Sequence, residues 1–216
     1  MLVVAAAAIA LVVHDSARTP VLSGGIALVV SGPADGQAAA AWVTDVVDVA
    51  AHPARVRAVD PLTHVTLPGT SFDRLRDAYP FGGSNGIADA IRRAEGERPA
   101  AFVEITADGL RQLLANDRIE LDVPSPMDVF ADARVYSFAV GRMQADADET
   151  LAVCRGAEYL AKPERERLLG QIGLAAARRL ADRGLALERS GQVRTNLPPE
   201  EFGRFLREMA NAELGD

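Results

Sequence analysis

Apolar positions along this chain gather into short unbroken runs and helical stripes, with Pro and Gly between them. Ile26 to Val30 is fully apolar and has the length of a buried strand. The polar segment Ser31 to Gln37 reads as a loop, and strands follow at Trp42 to Val49 and Arg55 to Val59, joined by a turn around His52 and Pro53. Asp60 and Pro61 interrupt the pattern, and His64 to Leu67 resumes it before Pro68 and Gly69. Ser71 is placed to cap a short helix through Ala78, with Phe72, Leu75 and Tyr79 on one face. Tyr79 to Gly86 reads as a Gly-rich loop leading into a helix from Ile87 to Ala94, which Gly96 stops. Ala101 to Ile105 predicts a strand, and Thr106 caps a helix to Asn116. From Arg118 to Val123, Ile119, Leu121 and Val123 face one side while Glu120 and Asp122 face the other.

The stretch from Arg134 to Gln171 predicts a short strand, a turn, a helix and a break at Pro163 ahead of a second helix that opens with Arg165 and Arg167. Asp146 and Glu149 have capping-box spacing, which turns Leu151 and Cys154 inward and puts Arg155 near the helix end. The second helix runs from Glu164 to about Arg183, with Leu169, Ile172, Ala176 and Leu180 as its stripe. Gly184 to Leu197 is irregular or one weak strand. Pro198 and Pro199 open a last amphipathic helix that buries Phe202, Phe205, Leu206 and Met209. Strands alternating with helices indicate an α/β fold, a mixed β-sheet flanked by helices on both faces. The expected division is a leading segment 1–25, an α/β domain 26–183 and a C-terminal extension 184–216.

Composition narrows the chemistry. The chain has 216 residues and a net charge of −7, which argues against non-specific nucleic-acid binding because that needs a basic face. Cys154 is the only cysteine, so there is no intrachain disulfide, and His14, His52 and His64 have no zinc-ligand spacing. Leu2 to Val13 is uncharged and apolar but falls short of the roughly 20 residues that span a bilayer. It is expected to be a shortened membrane anchor or signal segment, with a buried strand or helix as the alternative.

The candidate chemistry is that of phosphate. Arg155 and Arg167 lie near helix ends, where bidentate guanidinium contacts can neutralise a pyrophosphate. The alternative is surface arginines paired with Glu158 or Glu164. Gly82, Gly83 and Gly86 could let backbone amides approach a phosphate, although a plain helix-entry turn explains them as well and no P-loop pattern is present. Asp35, Asp45 and Asp48 are the acids near the early strands that could reach a magnesium ion. Strand alternation puts Asp45 and Asp48 on opposite faces, so no metal ligand is assigned. No Ser-His-Asp arrangement has a motif context.

Three segments resemble the LytR–CpsA–Psr family of bacterial cell-envelope proteins: LRDAYPFGGSNG (Leu75 to Gly86), FVEITADGLRQLLANDRIELDVP (Phe102 to Pro124), and Phe138 to Ile172, which contains AVCRGAEY and ERERLLGQI. Together they cover about half the chain. The resemblance implies a mixed sheet between helices, an N-terminal membrane anchor and a domain on the extracytoplasmic side of the cell membrane. It also implies handling of polyprenyl-pyrophosphate-linked anionic glycopolymer for attachment to peptidoglycan, usually with magnesium (Mg). Arg155 falls on the first arginine of the family's R-x-R, with Ala157 at the second. Arg167 falls near the second arginine of the late helix, with Glu164 at the first. On this resemblance Arg155 and Arg167 are the expected lipid-pyrophosphate-binding residues, and the catalytic residues are unknown. Two activities follow, a phosphotransferase or a catalytically inactive lipid-phosphate-binding or scaffolding protein.

Overall fold

Five strands make the central sheet of the computed structural model, which describes residues 24–34, 37–51 and 54–211. They are β1 (Ile26–Ala34), β2 (Gln37–Asp48), β3 (Arg55–Arg57), β4 (Ala101–Thr106) and β9 (Val193–Thr195), in the order β3-β2-β1-β4-β9. β1 and β4 run parallel, whereas β2 is antiparallel to β1 and β3, and β9 is antiparallel to β4. The sheet is therefore mixed. The β1–β4 connection carries α1 (Tyr79–Glu95), as a parallel crossover requires.

The other helices are α2 (Ala107–Leu113), α3 (Ala147–Gly156), α4 (Lys162–Arg189) and α5 (Pro199–Asn211). Ile26, Leu28 and Val30 of β1 point into a core shared with α2 to α5, and Ala27 and Val29 point into a smaller core under α1. The uninterrupted apolar run of β1 is thus explained by helices on both sides. Two ribbons complete the fold, β5 (Ile119–Val123) with β8 (Gly141–Ala145), and the hairpin β6 (Met127–Ala131) with β7 (Arg134–Phe138). That hairpin turns on Asp132 and Ala133, both at positive φ (49° and 62°), the backbone of a two-residue type I′ turn.

The Ser31 to Gln37 segment is not a simple loop: β1 continues to Ala34 and β2 begins at Gln37, pairing Ser31 with Ala41 and Gly32 with Ala40 across two register shifts. The alanine-rich start of β2 has no strand signature, and the ladder with β1 supplies what propensity does not. Ser71 starts no helix either. Val65 donates its amide to Asp73 and Leu75 to Thr63, which straps this segment down until a 3₁₀ turn at Leu75–Ala78. α1 begins at Tyr79, so the Gly-rich segment is mostly helical, with one break at Gly83 (φ 55°, ψ −147°). The residue 183/184 boundary falls inside α4, and β9 and α5 beyond it pack on β4 and α4. The leading segment lies outside the described residues except for Gly24 and Gly25. Among the described residues no helix is long and apolar enough to cross a membrane.

Candidate functional site

A cavity of about 250 Å³ opens where the β1–β2 end of the sheet meets the 3₁₀ turn, the end of α3 and the start of α4. Its lining includes Trp42, Pro61, Arg76, Arg155, Glu158 and Arg165. Three guanidinium groups on three different elements therefore reach one space.

Arg165 is fixed most firmly. Pro163 suits the first turn of α4, where its missing N–H costs nothing, and Arg165 follows with its side chain 9% exposed. Nε and Nη2 donate to Oδ1 and Oδ2 of Asp60 at 2.7 and 2.8 Å, and Nη1 donates to the Leu160 carbonyl at 2.7 Å. Burial pushes the Asp60 carboxyl up, but hydrogen bonds from Arg165 and from the Leu62 amide, with the Arg165 charge, outweigh it and hold Asp60 below its ordinary value. Asp60 raises Arg165 in turn, chiefly through that hydrogen bond. A bidentate pair of this kind orients a buried charge more than it stabilises the fold.

Arg155 is held more loosely. The Asp146–Glu149 capping box sets the start of α3, with the Glu149 amide donating to Asp146 at 2.9 Å and the Asp146 amide to Glu149 at 2.8 Å. Arg155 then falls in the last turn, its side chain 16% exposed. Its guanidinium lies 5.2 Å from the Trp42 ring centroid and 3.6 Å from Asp132. Its Nε is buried and makes no hydrogen bond. Trp42 occupies its place because Gly32 has no side chain: a Cβ there would come 2.2 Å from the ring.

Arg76 donates to Glu158 at 2.7 Å and lies 3.9 Å from Asp77. The segment that carries it is tied to the sheet through Glu104, a buried carboxylate on the α1 side of β4. Ser31 and Tyr79 donate to Glu104 Oε1 at 2.7 and 2.5 Å, and Ser84 donates to Oε2 at 2.8 Å. Burial first, then the Glu104 carboxylate, push the Tyr79 phenol above its ordinary value and keep it a donor.

Of the residues expected from the sequence, Arg155 lines this cavity and Arg167 does not. Arg165 and Arg167 are two positions apart on α4, hence roughly 200° apart around its axis. Arg167 faces a separate groove and lies 3.8 Å from Asp122. The arginine that α4 gives to the cavity is Arg165, which helical phase against the buried stripe could have selected. Arg76, Asp60, Trp42 and Glu104 were missed; Arg76 and Trp42 sit in segments read as a helix and a strand, and no local pattern marks either side chain as facing a cavity.

The glycines of the Gly-rich segment line none of the cavity, and Gly86 lies within a helix, where a Cβ would meet the Ala78 carbonyl at 2.7 Å. Cys154 is buried, and burial, then the nearby Asp45, push its thiol up to about 12. It packs as a small apolar group.

Among the described residues the donor set does not fit a magnesium ion. Asp77 and Glu158, the carboxylates lining the cavity, are both paired with Arg76. Asp48 accepts the Ala50 and Ala51 amides, and Asp45 is fully buried beneath α4. Asp35 lies outside the described residues, and among the described ones no cluster of three metal-ligating side chains is present.

Comparison with known proteins gives the architecture a context. No protein-family model and no curated protein sequence matches the chain. Solved structures do match. TagV of B. subtilis is 19% identical, with a TM-score of 0.59 over 88% of this chain and 80% of its own. The LytR-Csp2A-Psr enzyme from Actinomyces oris is 17% identical, with a TM-score of 0.61 over 89% of this chain and 78% of its own. TagT bound to LIIa-WTA is 13% identical, with a TM-score of 0.58 over 90% and 78%. At such identities the likeness speaks to architecture, and the architecture is that of the LytR–CpsA–Psr fold.

Proposed function

We infer that this chain is a divergent LytR–CpsA–Psr-like protein of cell-wall assembly, whose cavity grips the pyrophosphate of a polyprenyl-linked anionic glycopolymer bound for peptidoglycan. The observation that carries this reading is the meeting of Arg76, Arg155 and Arg165 in one cavity of that fold, with no hydrogen-bond partner for the buried Arg155 Nε among the described residues. Guanidinium forks match the paired oxygens of a pyrophosphate, and a half-enclosed site strengthens the attraction. In the transfer, an acceptor hydroxyl oxygen bonds to the phosphorus bearing the polymer. The bond from that phosphorus to the bridging oxygen breaks, and polyprenyl phosphate departs with the electron pair and takes up the hydroxyl proton. Arginine charge stabilises such a loose transition state without covalent chemistry by the protein. The reading places residues 2–13 at the membrane and the domain on its extracytoplasmic side.

A second reading, binding without turnover, is favoured by the commitment of Arg165 to Asp60 and of Arg76 to Glu158. A single assay separates the two. The protein is titrated with geranylgeranyl pyrophosphate in detergent, and phosphate release is followed with and without added magnesium. Binding that weakens about tenfold or more in Arg155→Ala supports the cavity, as expected for a lost charge-assisted contact. Release of phosphate selects the transferase, and tight binding without release selects the binder. Undiminished binding in Arg155→Ala would sink both.

A further inference from the structure

Two phenylalanines stand together on the surface, close to the arginine cavity but outside it. Phe72 is 50% exposed and Phe81 60%, and their ring centroids lie 5.7 Å apart with the planes tilted by 48°. A phenylalanine left in water forgoes much of the free energy that its burial supplies, and a touching pair forgoes it twice. The local chain keeps both rings outward. Thr70 Oγ1 donates to the Leu67 carbonyl at 3.0 Å and accepts from the Phe72 amide at 3.2 Å, which fixes the turn that presents Phe72. Phe81 lies in the first turn of α1, ahead of the break at Gly83, so the buried stripe that follows from Ser84 and Ile87 does not take it in. The backbone beside it is open, since a Cβ at Gly82 or Gly83 would meet nothing within 4 Å.

Charge decides what this surface faces. Phe81 borders a hollow of about 220 Å³ that runs between Leu67 and Pro68 on one side and Gly86, Asp89 and Arg93, on one face of α1, on the other. Arg74, Arg92 and Arg93 are exposed, and among the described residues none of them is in an ion pair. The acids near them are occupied. Asp73 lies 3.0 Å from His64 and Asp77 3.9 Å from Arg76, while Asp89 accepts from Arg98 at 2.8 Å and feels Arg92 and Arg93 only at longer range. The other exposed apolar pair, Phe130 and Val135 opposite each other on the β6–β7 hairpin, has a different setting. Asp128 and Asp132 are its neighbours in sequence, and Arg134 there lies over the Tyr136 ring.

We propose that the Phe72–Phe81 pair, with Arg74, Arg92 and Arg93 around it, docks the folded domain on an anionic lipid bilayer. The rings enter the boundary between headgroups and acyl chains, and the guanidinium groups meet the lipid phosphates. Aromatic rings flanked by free basic side chains hold a protein at that boundary by apolar burial and electrostatic attraction together. The hollow beside Phe81 is smaller than the roughly 300 Å³ at which ligand pockets begin, and both rings stand on turns. A fluid surface therefore suits the patch better than a moulded protein partner. The contact is additional to any made by residues 2–13, and it does not depend on how the arginine cavity is read. Pro80 lines that cavity and Phe81 is the next residue, so a bilayer held here lies beside the cavity.

The test puts a fluorophore in the patch. The full chain carrying Phe81→Trp is mixed with vesicles of equal parts phosphatidylglycerol and phosphatidylcholine whose acyl chains are brominated, which quenches an indole on contact. Emission is compared with the parent chain, which has Trp42 alone. Residues 2–13 are the same in every variant, so any contact of theirs cancels. Phe81→Trp should be quenched well beyond the parent, and Phe130→Trp should not. Arg74→Gln, Arg92→Gln and Arg93→Gln together should remove most of the added quenching, as should about 0.5 M salt or vesicles of phosphatidylcholine alone. Thermal melting of these variants should match the parent, because every substituted side chain is exposed. The proposal is overturned if Phe81→Trp is quenched no more than the parent, if Phe130→Trp is quenched as strongly, or if the three arginine substitutions change nothing. A chain that fails to bind geranylgeranyl pyrophosphate but shows the Phe81→Trp quenching loses the cavity reading and keeps this one.

Discussion

Asp45 sits on the core face of β2 with none of its surface exposed, and neither carboxyl oxygen makes a hydrogen bond. Gly173 of α4 is what lets the helix pass over it, since a Cβ at that position would lie 1.7 Å from Oδ2. Burial raises the Asp45 carboxyl well above its ordinary value of 3.8, and the Val59 backbone and the Arg57 charge offset this only in part. An acid whose folded value is raised favours the native state while it stays protonated. That contribution is complete below about 3.8 and is lost as pH climbs through the folded value. Asp45→Asn keeps the shape and removes the titration. Urea melts near about pH 4 and about pH 8 should show the variant gaining roughly 1–3 kcal/mol on the parent only at the higher pH. An equal effect at both would mean that Asp45 ionises as freely in the fold as out of it. Alternation had put Asp45 and Asp48 on opposite faces of β2, and they lie so. That Asp45 would be wholly enclosed was not legible, because the enclosing glycine is 128 positions away in the chain.

At the scale of elements, much of the fold could be read in advance and the failures share a cause. The Thr106 and Asp146 caps, the alternating β5 and the stripe of α4 follow from local chemistry, and the structure has them all. The Gly-rich segment, the Ser71 strap and the start of β2 depend on partners distant in sequence, which no local pattern encodes. The start of α1 is the clearest case. A segment with glycines at 82, 83 and 86 has poor intrinsic helicity, yet Glu104 pins it through Tyr79 and Ser84. Glu104→Ala strands three hydroxyl donors and should cost roughly 3 kcal/mol in a urea melt. Faster amide exchange confined to the first turns of α1 should accompany it. Glu104→Gln keeps a carbonyl acceptor and should recover part of that loss; equal losses in the two variants would show that the carboxylate's hydrogen bonds do not hold the segment.

Taken as a whole, the molecule is acidic yet sets arginines on both flanks of a single long helix. Phase around α4 sends Arg165 to the half-enclosed cavity and Arg167 to an open trough, whereas the sequence reading had joined Arg167 with Arg155. Trp42 adds a property that belongs to the entire chain, because it is the only tryptophan in 216 residues and stands in the wall of the cavity against Arg155. Its indole emission therefore reports on one place without any label. A ligand that draws the Arg155 guanidinium off the ring changes the quenching and polarity around it. Pyrophosphate lipid entering the cavity should shift the emission, and Arg155→Ala should abolish that shift. The close seat of the ring on Gly32 thus gives the protein an intrinsic optical gauge of whether that cavity is filled.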